Sequence, residues 1–135
     1  MAHYALLDEN NIVTAVIYGK DENEKRNGED INWETWMKDF HGASDCKRTS
    51  FNTSKNAHRD GGTPFRGNYA GPGYTYDATN DVFVAPKRFD SWTMDTNTWC
   101  WKAPLDQTDA ELGYFWDEDL YQSDNTKGWV EEEPD

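Results

Sequence analysis

The second half of the chain, from residue 68 onward, is rich in aromatic residues and poor in aliphatic ones. It contains thirteen Phe, Trp and Tyr residues but only six Val, Leu and Ile residues. Because one aromatic side chain buries a large area, a few rings can form a core where aliphatic residues are scarce. We therefore expect this half to be folded, with a core built mainly from rings.

A short pattern occurs three times in this half: an aromatic strand, a polar turn that begins with aspartate, and a second strand. The aspartates are Asp77, Asp95 and Asp117. An aspartate at the start of a turn can accept a hydrogen bond from the backbone two residues later, which closes a hairpin. The pattern predicts three β-hairpins in series. The second strand of the third hairpin lies either near Tyr121 or, across a longer loop, at residues 129–130.

The first half has a different pattern. Residues 2–7 and 12–18 are apolar-rich and flank a polar turn at residues 8–11, which predicts an opening β-hairpin. Residues 47–52 could return as a further strand. Residues 53–67 show little periodicity and predict a long ordered loop or arm, and loops of this length in compact domains usually have a functional role or contact a partner.

One helix is predicted in the first half. Trp33, Trp36, Met37 and Phe40 recur at the spacing of a single helical face, and Gly42 follows as a stop signal. A stripe of this kind is far more often part of a core than a ligand platform. We expect all four side chains to pack across the first sheet.

These patterns together predict a mainly β (α+β) fold, with an N-terminal β-hairpin and one short helix followed by serial aromatic β-hairpins. The predicted organisation is an N-terminal hairpin-helix-loop half at residues 1–67 and an aromatic hairpin half at residues 68–135, which could form one compact domain. Residues 66–77, the junction segment, contain Gly71 and Gly73, which can adopt backbone angles closed to other residues. We expect this segment to fix where the first aromatic hairpin leaves the N-terminal half.

Acidic residues outnumber basic ones by 26 to 13, which gives a net charge of -13. This balance disfavours binding to nucleic acid through phosphates and binding to an anionic membrane surface. The charge could complement a basic partner or could simply maintain solubility. No segment approaches the roughly 20 apolar residues of a membrane span, and the N-terminus lacks the pattern of a signal peptide. Cys46 and Cys100 could form one disulfide or remain reduced, and folding in the cytoplasm is expected.

The common catalytic and nucleotide-binding motifs are absent from the sequence. His41, Asp45 and Cys46 are close in sequence, but a fourth ligand at matching spacing is missing. We therefore expect a protein that is not an enzyme and that has no cofactor, metal or catalytic residues. Trp99, Trp101 and Trp116 could form a glycan-binding face or could be hairpin core, and we prefer the second interpretation.

A set of short segments is distributed over most of the chain: FRGNYAG at residues 65–71, GYTYD at 73–77, DVF at 81–83, PK at 86–87, SW at 91–92, WKAP at 101–104, YFWDE at 114–118, and MAHYA, LDENNIV and TSFNT at 1–5, 7–13 and 49–53. In these segments the chain resembles a family of small virion-associated structural proteins in tailed phages of marine bacteria and cyanobacteria. The departures are the charged segment 21–30, Pro72 where the family tends to have an aliphatic residue, and the spacing of Tyr121 from Trp129.

The resemblance implies a structural part of a phage particle, assembled in the host cytoplasm and located in the virion, and it supplies no catalytic residues. The expected role is a capsid decoration or cement protein whose partners are other virion proteins, either major capsid or tail proteins. The alternative is a tail or fibre accessory protein that binds host-surface glycans through exposed rings. The candidate partner-binding residues are Arg66, Asn68, Tyr69, Tyr74, Trp92, Trp99, Trp101 and Trp116.

Overall fold

The computed structural model describes residues 2–107 and 113–132. The chain divides into two compact units, of which the first comprises Met1–Pro86 and Asp95–Cys100 and the second comprises Lys87–Met94 and Trp101–Asp135. The fold is mainly β, with short antiparallel strands and two short helices in the described residues, which confirms the predicted fold class.

A three-stranded antiparallel sheet forms the centre of the first unit. It consists of β1 (Ala2–Leu7), β2 (Val13–Gly19) and β3 (Asp45–Thr49) in the order β2-β1-β3. The opening hairpin is confirmed, and the returning strand begins two residues earlier than predicted and ends at Thr49. Because β1 is the central strand, its alternating side chains are buried on both faces of the sheet.

Helix α1 (Trp33–His41) covers one face of this sheet. The Asn32 side chain accepts a hydrogen bond from the Thr35 N–H at 3.1 Å, and Gly42 ends the helix with a φ of 65°. The core on this face is formed by Tyr4, Leu6, Trp33, Met37 and Cys46. The prediction that the whole stripe packs on the sheet is wrong for Phe40, which is 69% exposed because it stacks on Trp36 instead.

The opposite face of the sheet packs against the first aromatic hairpin, β6 (Thr75–Asp77) and β7 (Val82–Val84). Its core contains Ala5, Leu7, Val13, Ala70, Tyr76 and Phe83. Along the chain, β3 is followed by a small additional hairpin, β4 (Thr53–Ser54) and β5 (Ala57–His58), which lies within the segment predicted to be a loop. The first unit therefore has a helix, a sheet and a hairpin layer.

The junction segment is part of the first unit and does not separate two halves. The Gly73 N–H donates to the Val13 carbonyl and the Val13 N–H donates to the Tyr74 carbonyl, both at 2.8 Å. These bonds continue the edge of β2, so the first unit extends well beyond residue 67. The units observed thus divide the chain differently from the predicted halves at residues 1–67 and 68–135.

Two of the three hairpins close as predicted. The Asp77 carboxylate accepts from the backbone of Thr79 and Asn80 in the turn between β6 and β7. The Asp95 carboxylate accepts from the Asn97 N–H at 2.9 Å in the turn between β8 (Thr93–Asp95) and β9 (Cys100–Lys102). Asp therefore has the expected turn-closing role at both positions.

The third repeat of the aspartate-headed pattern forms a helix in place of a hairpin turn. Asp117 caps α2 (Glu118–Ser123) by accepting from the Leu120 N–H at 3.0 Å, and two acidic residues in the first turn favour that helix. Strand β10 (Tyr114–Trp116) consequently pairs with β11 (Trp129–Glu131) across the longer loop. The alternative that placed the partner strand near Tyr121 is wrong, because Tyr121 lies in α2.

Rings form the core of the second unit, as expected from its composition. Trp116 is 6% exposed and contacts Trp129 edge-on at a centroid distance of 5.2 Å. Trp92 and Tyr121 contact Trp116 at 6.0 and 5.4 Å, and Phe89 contacts Trp92. Across residues 2–107 and 113–132, no helix is long and apolar enough to cross a membrane.

Candidate functional site

Four rings form an exposed cluster on the first unit, which we call the aromatic patch: His3, Tyr18, Phe51 and Tyr69. The His3 ring is central, with centroid distances of 4.7 Å to Tyr18, 5.3 Å to Phe51 and 5.6 Å to Tyr69. Tyr18 is 69% exposed and Phe51 is 53% exposed. The rings surround a shallow depression of about 450 Å³. An exposed cluster of large rings is typical of a binding surface.

Strand register brings these rings together. His3 on β1 is the direct partner of Tyr18 on β2, so the two side chains project from the same face of the sheet. His3 also pairs with Thr49 on β3, and Phe51 follows that strand by two residues. The Tyr69 N–H donates to the Thr53 carbonyl at 2.9 Å, which holds Tyr69 beside the sheet.

The aromatic patch is electrically neutral at pH 7. Burial lowers the pKa of His3 from 6.5, so its imidazole is uncharged at that pH. Burial, together with the neighbouring Tyr18 hydroxyl, raises the pKa of Tyr69 from 10.0. The patch therefore offers apolar ring faces, ring edges and phenol hydroxyls. Arg59 lies beside the patch, with its guanidinium carbon 5.6 Å from the Phe51 centroid.

A cleft of about 330 Å³ adjoins the patch and shares His3 and Phe51 with it. Asp21 and Glu22 from the charged segment line this cleft, which we call the acidic cleft. Glu22 Oε2 lies 2.9 Å from Arg48 Nη2, so one of its oxygens is already paired, while its side chain remains 55% exposed. The patch therefore borders carboxylates on one side.

Arg66, a predicted partner-binding residue, is used within the first unit. Its Nη1 donates to Glu34 Oε2 and to the Arg48 carbonyl, both at 2.9 Å. Its Nε forms an ion-pair contact of 2.8 Å with Asp81 Oδ1 without the geometry of a hydrogen bond. Burial opposes the charged form, but the hydrogen bond and charge of Glu34, with the charge of Asp81, raise the pKa of Arg66. With its side chain 14% exposed, Arg66 joins α1, β3 and the first aromatic hairpin.

Asn68 has a similar internal role. Its Nδ2 donates to the carbonyls of Phe83 at 3.0 Å and Trp99 at 2.9 Å, and its Oδ1 accepts from the Lys55 N–H at 2.9 Å. Tyr74 is half-buried against the core that contains Ala5 and Leu7. Of the four candidates in the junction segment, the structure therefore places only Tyr69 in the aromatic patch.

The four tryptophan candidates occupy three different environments. Trp99 is half-buried in the first unit, in a left-handed turn position with a φ of 56°. Trp101 is half-buried in the second unit, with Lys87 Nζ 5.4 Å from its ring. Trp92 and Trp116 belong to the ring core of the second unit. Trp116 is buried there, whereas Trp99 and Trp101 are each half-buried in their own units.

Glu118 fastens the ring core of the second unit. Its carboxylate accepts from Ser91 Oγ at 2.6 Å, Trp116 Nε1 at 2.9 Å and Gln122 Nε2 at 2.7 Å. The hydrogen bonds from Ser91 and Trp116 are the main causes that lower the pKa of Glu118 to about 2. The carboxylate therefore stays ionised near neutrality and connects Ser91, Trp116 and Gln122.

The two cysteines are free thiols, which answers the question that the sequence left open. Burial, followed by the nearby Glu34 and Asp45 charges, raises the pKa of Cys46 to about 12, so this thiol stays protonated. Within the described part of the chain, His, Cys, Asp and Glu side chains form no group of three or more that could hold a metal ion. The candidate trio of His41, Asp45 and Cys46 is thus not assembled.

Three members of the aromatic patch were missed by sequence reasoning. The opening hairpin predicted that its two strands pair, but a β-bulge between Leu6 and Leu7 shifts the register by one residue, so counting from the turn would not have placed His3 opposite Tyr18. Phe51 and Tyr69 carry no comparable signal, because tertiary folding alone brings them to His3.

Comparisons with protein-family models, curated proteins and solved structures found no significant match.

Proposed function

We propose that this chain is a non-enzymatic structural component of a tailed-phage virion, with the role of a capsid decoration or cement protein. The aromatic patch is the observation that supports this proposal best, because an exposed cluster of large rings suits docking onto another protein. The resemblance of the sequence to small virion-associated proteins supplies the biological setting. Partners are other virion proteins, with the major capsid protein as the first candidate.

The energetics of the patch favour a role in association. Covering the exposed areas of Tyr18 and Phe51 would contribute on the order of 5 kcal/mol before the ordering costs of association are subtracted. Tyr18 lies within strand β2 and Phe51 lies two residues after strand β3, so little backbone order has to be gained on binding. A surface of this size suits a small protein that binds many equivalent positions on a particle.

Particles that lack the chain test the proposed role. We expect them to release their genome at a lower temperature, or after a milder osmotic shock, than particles that carry it, and we expect added purified protein to restore resistance. Quantitative mass spectrometry of intact particles should find many copies. Unchanged resistance would contradict the cement role, and a low copy number would assign the chain to the tail.

The patch itself is tested by the Tyr18→Ala and Phe51→Ala variants. Each is expected to weaken the association of purified protein with stripped particles in co-sedimentation, because each removes an exposed ring from the docking surface. Phe40→Ala is the matched control, since Phe40 is as exposed as Tyr18 but lies on helix α1. Equal loss of association in the Phe40 variant would contradict a docking role for the patch.

The alternative proposal is a tail or fibre accessory protein that binds host-surface glycans. It is favoured by the accessibility of Trp101, whose half-buried ring lies beside the Lys87 ammonium group. On a glycan array, binding that disappears in Trp101→Ala and Trp99→Ala without loss of folding would support this alternative. Array binding that is absent, or that persists in both variants, would contradict it.

A further inference from the structure

We infer that the aromatic patch and the acidic cleft together receive a Lys- or Arg-containing segment of another protein, with a cation of that segment over the ring of Tyr18 or Tyr69. This inference deepens the proposed function and rests on it for the biological setting. It specifies the chemistry of the partner, which the proposed function leaves open.

Many aromatic rings of this chain lie beneath a Lys or Arg side chain of the same chain. Seven of its thirteen Lys and Arg side chains lie over aromatic rings in the described residues. Arg48 lies 4.0 Å from the Phe65 centroid, and Arg59 covers Phe51 within the patch. The negative potential of ring faces attracts cations, and guanidinium groups most often. One ring of the patch therefore already holds a guanidinium group.

Tyr18 and Tyr69 are the rings of the patch without such a partner among the described residues. Within residues 2–107 and 113–132, no Lys or Arg side chain lies over Tyr18 or Tyr69. Both rings contact the edge or face of His3, which is neutral at pH 7 because burial lowers its pKa. A partner's cation can thus approach these rings without meeting a charged imidazole.

The charges of the acidic cleft favour a basic partner. Asp21, Glu22 and Arg48 line this cleft, and because Arg48 pairs with Glu22, these three residues together leave one negative charge beside the rings, on a chain whose net charge is -13. A polyanion or a second copy of this chain would be repelled, whereas a basic segment would be attracted over a distance set by ionic strength. Rings that bind a cation face-on, next to carboxylates that neutralise it, are complementary to Lys and Arg side chains.

The test uses the full chain and a short fluorescent peptide of alternating arginine and glycine, with fluorescence anisotropy as the readout. A second peptide has citrulline in place of each arginine, which keeps the shape of the side chain but removes its charge. We expect the arginine peptide to bind more tightly than the citrulline peptide. We also expect its binding to weaken as ionic strength rises from about 0.05 to about 0.3 M.

Variants separate the patch from general attraction to an acidic protein. Tyr18→Ala should weaken arginine-peptide binding about two- to fivefold, as expected for an exposed cation–ring contact. Tyr18→Phe should retain binding because the ring remains, and Phe40→Ala should have no effect. Circular dichroism and the thermal midpoint verify folding of each variant, which is expected because Tyr18 is largely exposed.

A second pair of variants tests the acidic cleft. Asp21→Asn and Glu9→Gln each remove one negative charge, but Glu9 lies in the turn at the opposite end of the first hairpin from the patch. Asp21→Asn should weaken peptide binding more than Glu9→Gln does. The inference would be overturned if Asp21→Asn and Glu9→Gln weakened peptide binding equally, or if Tyr18→Ala and Phe40→Ala did so. It would also be overturned if the protein bound the two peptides with equal affinity.

The outcome can be separated from that of the particle experiments. If the chain stabilises particles but does not distinguish the two peptides, the proposed function stands and the inference fails. If the peptides are distinguished through Tyr18 but particles are unaffected by loss of the chain, the inference stands and the proposed function fails. Binding of neutral oligosaccharides that depends on Tyr18, with no preference for arginine, would assign the patch to glycans and overturn the inference.

Discussion

Arg66 shows how one residue can organise a unit without belonging to its apolar core. Its guanidinium contacts Glu34 on α1, the Arg48 carbonyl on β3 and Asp81 in the first aromatic hairpin. The planar group has several fixed donors, which lysine lacks, so it can serve three elements at once. Its φ of 52° is unusual for arginine and is maintained by these contacts.

Gly128 is a second residue at which chemistry is constrained by packing. It is buried, and a Cβ atom at this position would lie 2.3 Å from Trp116 Cη2. We expect Gly128→Ala to lower the free energy of unfolding of the second unit by about 1–3 kcal/mol, because the indole must move out of its packed position. Urea denaturation followed by tryptophan fluorescence measures this change.

Gly113→Ala is the matched control for this prediction. Its nearest atom at a comparable position is Glu132 Oε2 at 3.1 Å, the end of a flexible exposed side chain. This substitution should change the free energy of unfolding by much less. Equal destabilisation by the two alanine substitutions would show that the indole contact does not limit position 128.

At the scale of elements, the residues that follow each aspartate of the repeated pattern decide whether a turn or a helix forms. Asp77 and Asp95 close hairpin turns, whereas Asp117 caps a helix with the same carboxylate chemistry. The residues after Asp117 include Glu118 and Leu120, which are better helix formers than the Thr and Asn residues that follow the other two aspartates. Local helix propensity therefore explains why the third repeat of the pattern forms a helix and the other two form turns.

The cap at Asp117 leads to a measurable expectation. Asp117→Ala should lower the free energy of unfolding by about 1 kcal/mol, because the Leu120 N–H loses its partner at the first turn of α2. Asp119→Ala is the control, since it removes an equal charge from an exposed position in the same turn. Chemical denaturation of both variants makes the comparison, and a larger loss in the Asp119 variant would contradict the capping role.

At the scale of the whole molecule, alkaline pH should reveal how the first unit is held on both faces of its sheet. Burial raises the pKa of Tyr4 and of Tyr76 from 10.0 to about 12, and the Tyr76 hydroxyl also donates to Asp81. Because folding favours the neutral phenols, their contribution is fully present below pH 10 and is lost as pH rises towards about 12.

We therefore expect the thermal midpoint to fall between about pH 10 and about pH 12, together with the appearance of tyrosinate absorbance. Tyr76→Phe should flatten this pH dependence because one of the buried groups that contribute to it, which also include Tyr4 and Cys46, no longer titrates. Tyr18→Phe is the control variant, because it removes a phenol hydroxyl from an exposed ring. A pH profile in the Tyr76 variant identical to that of the parent protein would contradict this assignment.

The elements with local signals could be predicted from the sequence. The opening hairpin, helix α1 with its Gly42 stop and the two turns headed by Asp77 and Asp95 follow from patterns that neighbouring residues enforce. The reliance of the second unit on rings follows from composition, because few aliphatic side chains are available there.

Where distant segments meet depends on long-range packing, which no local pattern predicts. The junction segment joins the first unit because Val13 bonds to the backbone of Gly73 and Tyr74. The exposure of Phe40 and the burial of Trp116 likewise depend on which surfaces pack together. The aromatic patch has the same origin: two of its rings are set by hairpin register, but Phe51 and Tyr69 reach His3 through long-range contacts that no local pattern encodes.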